Sequence, residues 1–168
     1  MIEFPLRVVM RSLALGALVL LSACTLERRD PPPSPGQAIR LEVENQLRRY
    51  YADFSARDWT AFASHFWPGA IITTAWQPPG EPGVRVDVQT VPAFVARAPE
   101  GPGSKAVFSE EMLSADIRVS GELAQAWVRY RAKFGDLGSV AEWEGTDAFS
   151  LLAVDGQWKI VSLTFAAD

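Results

Sequence analysis

The chain has 168 residues, 48% of them hydrophobic and 21% charged, with a formal net charge of −4. That length fits one domain plus a targeting segment, and the composition supports a packed core over disorder. Lys and Arg are scattered without a basic stripe, which argues against a nucleic-acid partner. A single Cys (Cys24) and a single His (His65) exclude an intrachain disulfide and any zinc or iron site needing several such ligands. No metal or cofactor is expected, and six Trp with nine Phe point to an aromatic-lined interior.

Residues 1–23 open with Arg7 and Arg11, continue as the apolar run Ser12–Leu21, and end in Leu21-Ser22-Ala23 ahead of Cys24. The run is short for a bilayer span. A branched residue and two small residues before the sole Cys resemble the signal peptide of a bacterial lipoprotein. The resemblance implies cleavage before Cys24, lipidation of Cys24 and stable membrane anchoring by several acyl chains. Met10 is an alternative start, because Met10 to Cys24 is itself a compact signal. Thr25 follows the Cys in place of Asp, which in a Gram-negative envelope implies the outer membrane, facing the periplasm. Residues 24–36, rich in Pro, are expected to be a semi-rigid spacer ahead of a domain at 37–168.

From Gln37, Ile39, Val43, Leu47, Tyr50 and Phe54 recur at helical spacing and form one apolar stripe. Asp58 is placed to cap a second helix with Trp59, Phe62 and Phe66 inward, stopped by Pro68-Gly69. Ala70–Trp76 reads as a β-branched strand, and Gln77–Gly83 as a loop. Thr90 is placed to cap a third helix with Val91, Phe94 and Val95 inward. Four long strands follow as an antiparallel meander, beginning with Lys105–Val119 and Leu123–Phe134. They close with a hairpin turning at Asp155-Gly156. Helices grouped ahead of an antiparallel sheet predict an α+β fold with the helices on one face.

Three stretches carry a further resemblance: Tyr50–Trp59, His65–Ala70 and Gly156–Val161. Over residues 37–167 the chain resembles the nuclear transport factor 2-like superfamily, nearest its SnoaL-like and lumazine-binding branches. The resemblance implies a cone-shaped curved antiparallel sheet, wrapped by three N-terminal helices around an internal pocket. Many such proteins dimerise through the sheet face, so a homodimer is expected. The superfamily includes ketosteroid isomerases, which pair a first-helix Tyr with a protonated strand Asp and add a carboxylate base. Tyr50 and Asp147 match the first two, whereas the base position falls near Thr74-Ala75, where no carboxylate stands.

Strand alternation puts Trp143, Gly145, Asp147, Phe149 and Leu151 on one face, so Asp147 sits among apolar side chains. Desolvation there raises a carboxyl pKa. Asp147 is then either a protonated donor beside Tyr50 or a structural tie to Tyr50 or a Trp indole. His65 is either a general base or a packing residue at a helix end. Trp76, Tyr130, Trp143 and Phe149 are the candidate ligand-binding aromatics. Trp127 shares a strand face with Arg129, Arg131 and Lys133, which reads as a protein-contact patch or as a basic face lying over one Trp. The expectation is an anchored envelope protein whose pocket binds a small hydrophobic ligand or a protein, without catalysis. The alternatives are an isomerase, cyclase or dehydratase using Tyr50 and Asp147, and a structural part of an envelope assembly.

Overall fold

The computed structural model describes residues 33–77 and 82–167. The signal-like segment, Cys24, most of the spacer and positions 78–81 of the loop lie outside the described residues.

Helix α1 (Pro35–Ala56) starts two residues ahead of its expected position. Ser34 caps it reciprocally: the Gln37 N–H donates to Ser34 Oγ at 3.4 Å, and the Ser34 N–H donates to Gln37 Oε1 at 2.8 Å. The predicted stripe is buried from Val43 through Phe54, with Tyr51 added beside Tyr50. The helix ends where Arg57 turns left-handed, at φ 58°. Helix α2 (Trp59–Ser64) is capped by Asp58, whose carboxylate accepts the Ala61 N–H at 2.9 Å.

Two expectations require correction. Helix α2 stops at Ser64, and Phe66 already belongs to strand β1 (Phe66–Trp76). Pro68 and Gly69 therefore do not stop a helix. They occupy the interruption in the β1 ladder between Phe66 and Ile71, where a missing N–H costs no hydrogen bond and Gly69 adopts φ 88°. A sixth strand, β2 (Arg85–Thr90), also joins the five expected; its Val-polar alternation is that of a half-exposed strand. Helix α3 (Val91–Arg97) follows directly, capped by Thr90 as anticipated.

Strands β3 (Val107–Ser120), β4 (Leu123–Asp136), β5 (Ser139–Val154) and β6 (Gln157–Ala167) form the predicted meander, and the sheet order is β2-β1-β6-β5-β4-β3. All neighbours are antiparallel except β1 and β6, which run parallel. The β5–β6 turn has Asp155 at φ 50° and Gly156 at φ 73°, the left-handed pair expected of a tight hairpin.

Two bulges shape the sheet. One at Leu113 breaks the register between Met112 and Ser114, so the inward set changes from Phe108, Glu110 and Met112 to Ala115, Ile117 and Val119. The other, at Val161, shifts the inward set from Trp158 and Ile160 to Leu163 and Phe165. Each bulge bends its strand and curves the sheet. The helices fill the concave side, and Leu47, Phe62, Ile72, Val128, Leu151 and Ile160 are wholly buried there.

Candidate functional site

Asp147 lies on β5 between Gly145 and Phe149 and faces inward, as its alternation predicted, with 2% of its surface exposed. Its cross-strand neighbours are Val128 and Phe165, so neither flank offers a hydrogen bond from a side chain. Burial raises the pKa of its carboxyl to about 7, against the opposing pull of a hydrogen bond from Tyr51.

That bond corrects the expected partnership. The hydroxyl that donates to Asp147 Oδ2 is that of Tyr51, not of Tyr50. Both tyrosines are buried, because Leu47 is followed by aromatics three and four positions later, and both positions face the sheet. Tyr50 is instead the centre of an aromatic cluster, its ring 5.4 Å from Phe62 and 5.3 Å from Phe149. Burial and the nearby Asp147 charge raise the pKa of both phenols, so both remain protonated donors.

A second carboxyl faces the same place. Glu110 of β3 lines a small cavity with Tyr50, Phe54, Ile72, Phe94, Asp147, Leu163 and Phe165. Part of the Glu110 residue remains exposed, but its carboxyl is desolvated among these walls. Desolvation raises its pKa well above the ordinary value, and the Asp147 charge pushes it further the same way. The two groups titrate as a pair. The cavity holds about 10 Å³, room for about one water molecule. Asp147 Oδ1 has no hydrogen-bond partner among the described residues.

Ser55 fixes Glu110 in position. Its hydroxyl accepts the Glu110 N–H at 2.8 Å and donates to the Glu110 carbonyl at 2.8 Å, so α1 covers the outer edge of β3 at this residue. Ser55→Ala leaves both backbone groups without that partner. It is expected to cost about 1–3 kcal/mol in urea unfolding, with little change in m-value.

Glu110 is not marked by the isomerase resemblance, which places the base at Thr74-Ala75. The residue spacing did carry the signal: Phe108, Glu110 and Met112 alternate inward, and only the bulge at Leu113 hides the continuity with Ala115 and Ile117.

The other candidates disperse. His65 is buried but stands apart from the carboxyl pair: Gln46 Nε2 donates to its Nδ1 at 2.9 Å, and its Nε2 donates to Asp53 Oδ2 at 2.7 Å. That chain borders a separate cleft of about 540 Å³ beside the β5–β6 turn, lined also by Arg49, Trp158 and Lys159. His65 is thus no base for the Asp147 cavity. None of the four candidate ligand-binding aromatics lines that cavity. Trp76 is 45% exposed at the end of β1. Tyr130 and Phe149 are core residues, and Trp143 is a half-buried flank of the core. Inward-facing strand positions predicted burial for the latter three, but the helices fill that space.

Outside the cone, Trp127 is 61% exposed. Beside it Arg129 and Arg131 pair with Glu144 at 2.9 Å each, and Lys133 with Glu142 at 3.4 Å. No described helix is long and apolar enough to cross a membrane.

No protein-family model matches the sequence, and no curated protein matches it. Solved structures do. One is a protein of unknown function from Mycobacterium tuberculosis, 16% identical, with a TM-score of 0.63 over 78% of this chain and 72% of that one. Another, from Novosphingobium aromaticivorans, is provisionally assigned as a scytalone dehydratase; it is 17% identical, with a TM-score of 0.63 over 78% and 85%. A third, from Salmonella enterica, is described as a nuclear transport factor 2-like superfamily protein; it is 15% identical, with a TM-score of 0.61 over 77% and 91%. The fold is nuclear transport factor 2-like. These identities establish the fold alone, and function must be argued from the site. In this nuclear transport factor 2-like cone the small internal space is walled mainly by apolar side chains, and its polar lining is two carboxyls and the Tyr50 phenol, with the Tyr51 phenol bonded to one of the carboxyls.

Proposed function

We propose that the protein binds a small, largely apolar molecule bearing a carbonyl or hydroxyl oxygen, and that Asp147 and Glu110 exchange protons with it. The observation that carries this reading is Asp147 Oδ1: a buried carboxyl oxygen of a residue only 2% exposed, without a hydrogen-bond partner among the described residues, in a cavity it shares with a second carboxyl. Buried polar atoms are otherwise almost always satisfied, so an exception asks for a role. With Tyr51 donating to Oδ2, the acid proton of Asp147 resides on Oδ1 and is available to a ligand oxygen. The two carboxyls share their protons: the member that is ionised takes a proton from the carbon next to that oxygen, while the protonated one donates to the oxygen. Returning the proton elsewhere on the ligand gives an isomerisation; loss of a neighbouring hydroxyl as water gives a dehydration. Glu110 supplies the second carboxyl that the sequence lacks near Thr74.

The test is deuterium incorporation into small cyclic ketones in D₂O, followed by proton NMR together with ligand-observed binding. The protein is expected to accelerate exchange over buffer, and Glu110→Gln to reduce that acceleration by roughly a hundredfold or more. Binding without exchange favours the second reading, a ligand-binding module without turnover. That reading draws on the apolar walls of the cavity, Phe54, Ile72, Phe94, Leu163 and Phe165; on either reading the 10 Å³ cavity must widen before a ligand enters. Neither binding nor exchange across the ketone series contradicts both.

The proposed setting is the cell envelope, with the domain held to the membrane through lipidated Cys24 and, in a Gram-negative cell, at the outer membrane. Cys24→Ser is expected to move the protein from the membrane to the soluble fraction; unchanged fractionation contradicts the anchor. The sheet face is proposed as a contact surface for a protein partner, where Trp127 lies beside a groove of about 140 Å³ floored by small side chains, Ala148, Ser150, Ser162 and Thr164.

A further inference from the structure

The sheet has two edges, and they are treated differently. At the β3 edge, Ser55 binds both backbone groups of Glu110, and Arg57 Nη2 donates to the Lys105 carbonyl just ahead of the strand at 2.8 Å. At the opposite edge, β2 is the last strand in the order, and among the described residues no strand pairs with its outer side. It also carries an exposed apolar row: Val84, just ahead of it, is 63% exposed, Val86 65% and Val88 59%. An exposed apolar edge is a template for another strand unless it is covered or charged.

The sequence of this edge is self-complementary. Val84-Arg85-Val86-Asp87-Val88 reads apolar, cationic, apolar, anionic, apolar about Val86. In an antiparallel pair with Val86 opposite its own copy, Val84 meets Val88, and Arg85 meets Asp87, twice over. Val84, Val86 and Val88 point to one side and Arg85 and Asp87 to the other, so the valine row and both ion pairs form together. Asp87 is already oriented on its side of the sheet, accepting from Arg97 Nη1 at 2.9 Å and Gln89 Nε2 at 3.1 Å, with 47% of its side chain still exposed.

We propose that a second copy of this chain adds through β2, antiparallel and centred on Val86, joining two six-stranded sheets into one. A dyad through the central residue is the geometry of an isologous interface. The alternative occupants are a strand from another protein, and a copy docked over the sheet face at Trp127, which would cover the valines from above. Only edge pairing sets residue 86 against residue 86 and residue 84 against residue 88. A five-residue pairing is a small interface, so the association is expected in the micromolar range.

The test uses the purified full chain with Cys24→Ser, leaving no native thiol. Under mild oxidation Val86→Cys is expected to form a covalent dimer by itself. Val84→Cys and Val88→Cys are expected to crosslink only when the two proteins are mixed, because cross-strand partners bring Cβ atoms to disulfide range and positions four residues out of register do not. In light scattering, Arg85→Asp is expected to reduce a dimer mass to that of a monomer at about 20 μM. Arg85→Asp with Asp87→Arg is expected to restore it, and Trp127→Glu to leave the Val86→Cys crosslink intact. Three results would overturn the proposal: no crosslink at position 86; equal self-crosslinking of Val84→Cys and Val88→Cys alone; or loss of the position-86 crosslink on Trp127→Glu with the Arg85→Asp mass unchanged.

Discussion

Asp147→Asn is expected to flatten the dependence of stability on pH. The native carboxyl is pushed up to about 7 by burial, against an unfolded value near ~4. A raised acid pKa means that the folded state holds a proton the unfolded chain has released. Its contribution to stability is therefore complete below the unfolded pKa and is lost as pH rises through the native one. Glu110 is shifted in the same direction and adds to the same trend. Stability should decline from about pH 4 to about pH 7, at a slope of somewhat over ~1 kcal/mol per pH unit per proton. The exposed Asp136 and Glu144 are shifted downward by Lys105 and by Arg129 and Arg131, so they act in the opposite sense and only at more acidic pH. Asparagine keeps an acceptor for Tyr51 but has no proton to lose. Chemical denaturation from pH 4 to 8 should show the decline in the native protein and one about half as steep in Asp147→Asn, where Glu110 alone remains shifted, and the variant becomes the more stable of the two near pH 8. Parallel profiles for the two proteins would show that Asp147 ionises as an ordinary carboxylate.

The second large effect is expected two residues away. Gly145 pairs across the strands with Tyr130, and the phenol ring occupies the space a side chain would take. A Cβ on Gly145 would stand 2.6 Å from Tyr130 Cζ and 2.8 Å from the Ala166 carbonyl oxygen. The Ala166 oxygen is backbone and the ring is buried, so neither yields cheaply. Gly145→Ala is expected to destabilise by about 3 kcal/mol, the upper range for overpacking, and to disturb Asp147 with it. Gly36→Ala is the control: it lies near the start of α1, and a Cβ there meets nothing within 4 Å. Helix propensity makes that change neutral or slightly stabilising. A Gly145→Ala protein as stable as the control would mean that Tyr130 packs elsewhere.

Much of the fold was legible because it rests on local periodicity. The stripe from Val43 to Phe54, the caps at Asp58 and Thr90, and the Asp155-Gly156 turn follow from spacing and turn chemistry. The inward placement of Asp147 followed from a period of two. What escaped was set by interruptions of period. Pro68 and Gly69 look like a helix stop but sit in a strand irregularity, and β2 is too short and too half-polar to declare itself. Glu110 lay beyond a bulge that reverses the alternation of β3. Tyr51 was eclipsed by Tyr50 because positions three and four beyond Leu47 face the sheet equally, and only the fold decides which hydroxyl reaches the carboxyl. His65 had no sequence signal for its partners, since Gln46 and Asp53 approach it from the neighbouring helix.

The reading of the cavity as a proton-exchanging pocket depends on a carboxyl pair that keeps one proton near neutrality. Carboxyl-carbon NMR titration of the native protein, with Asp147→Asn and Glu110→Gln to assign the signals, measures this directly. Two carboxyl resonances are expected to titrate well above the ordinary carboxylate range, the Asp147 resonance toward about 7, with removal of either residue changing the titration of the other. If every Asp and Glu carboxyl in the native protein has titrated by about pH 5, the pair is ionised at neutral pH and the pocket cannot serve the proposed chemistry.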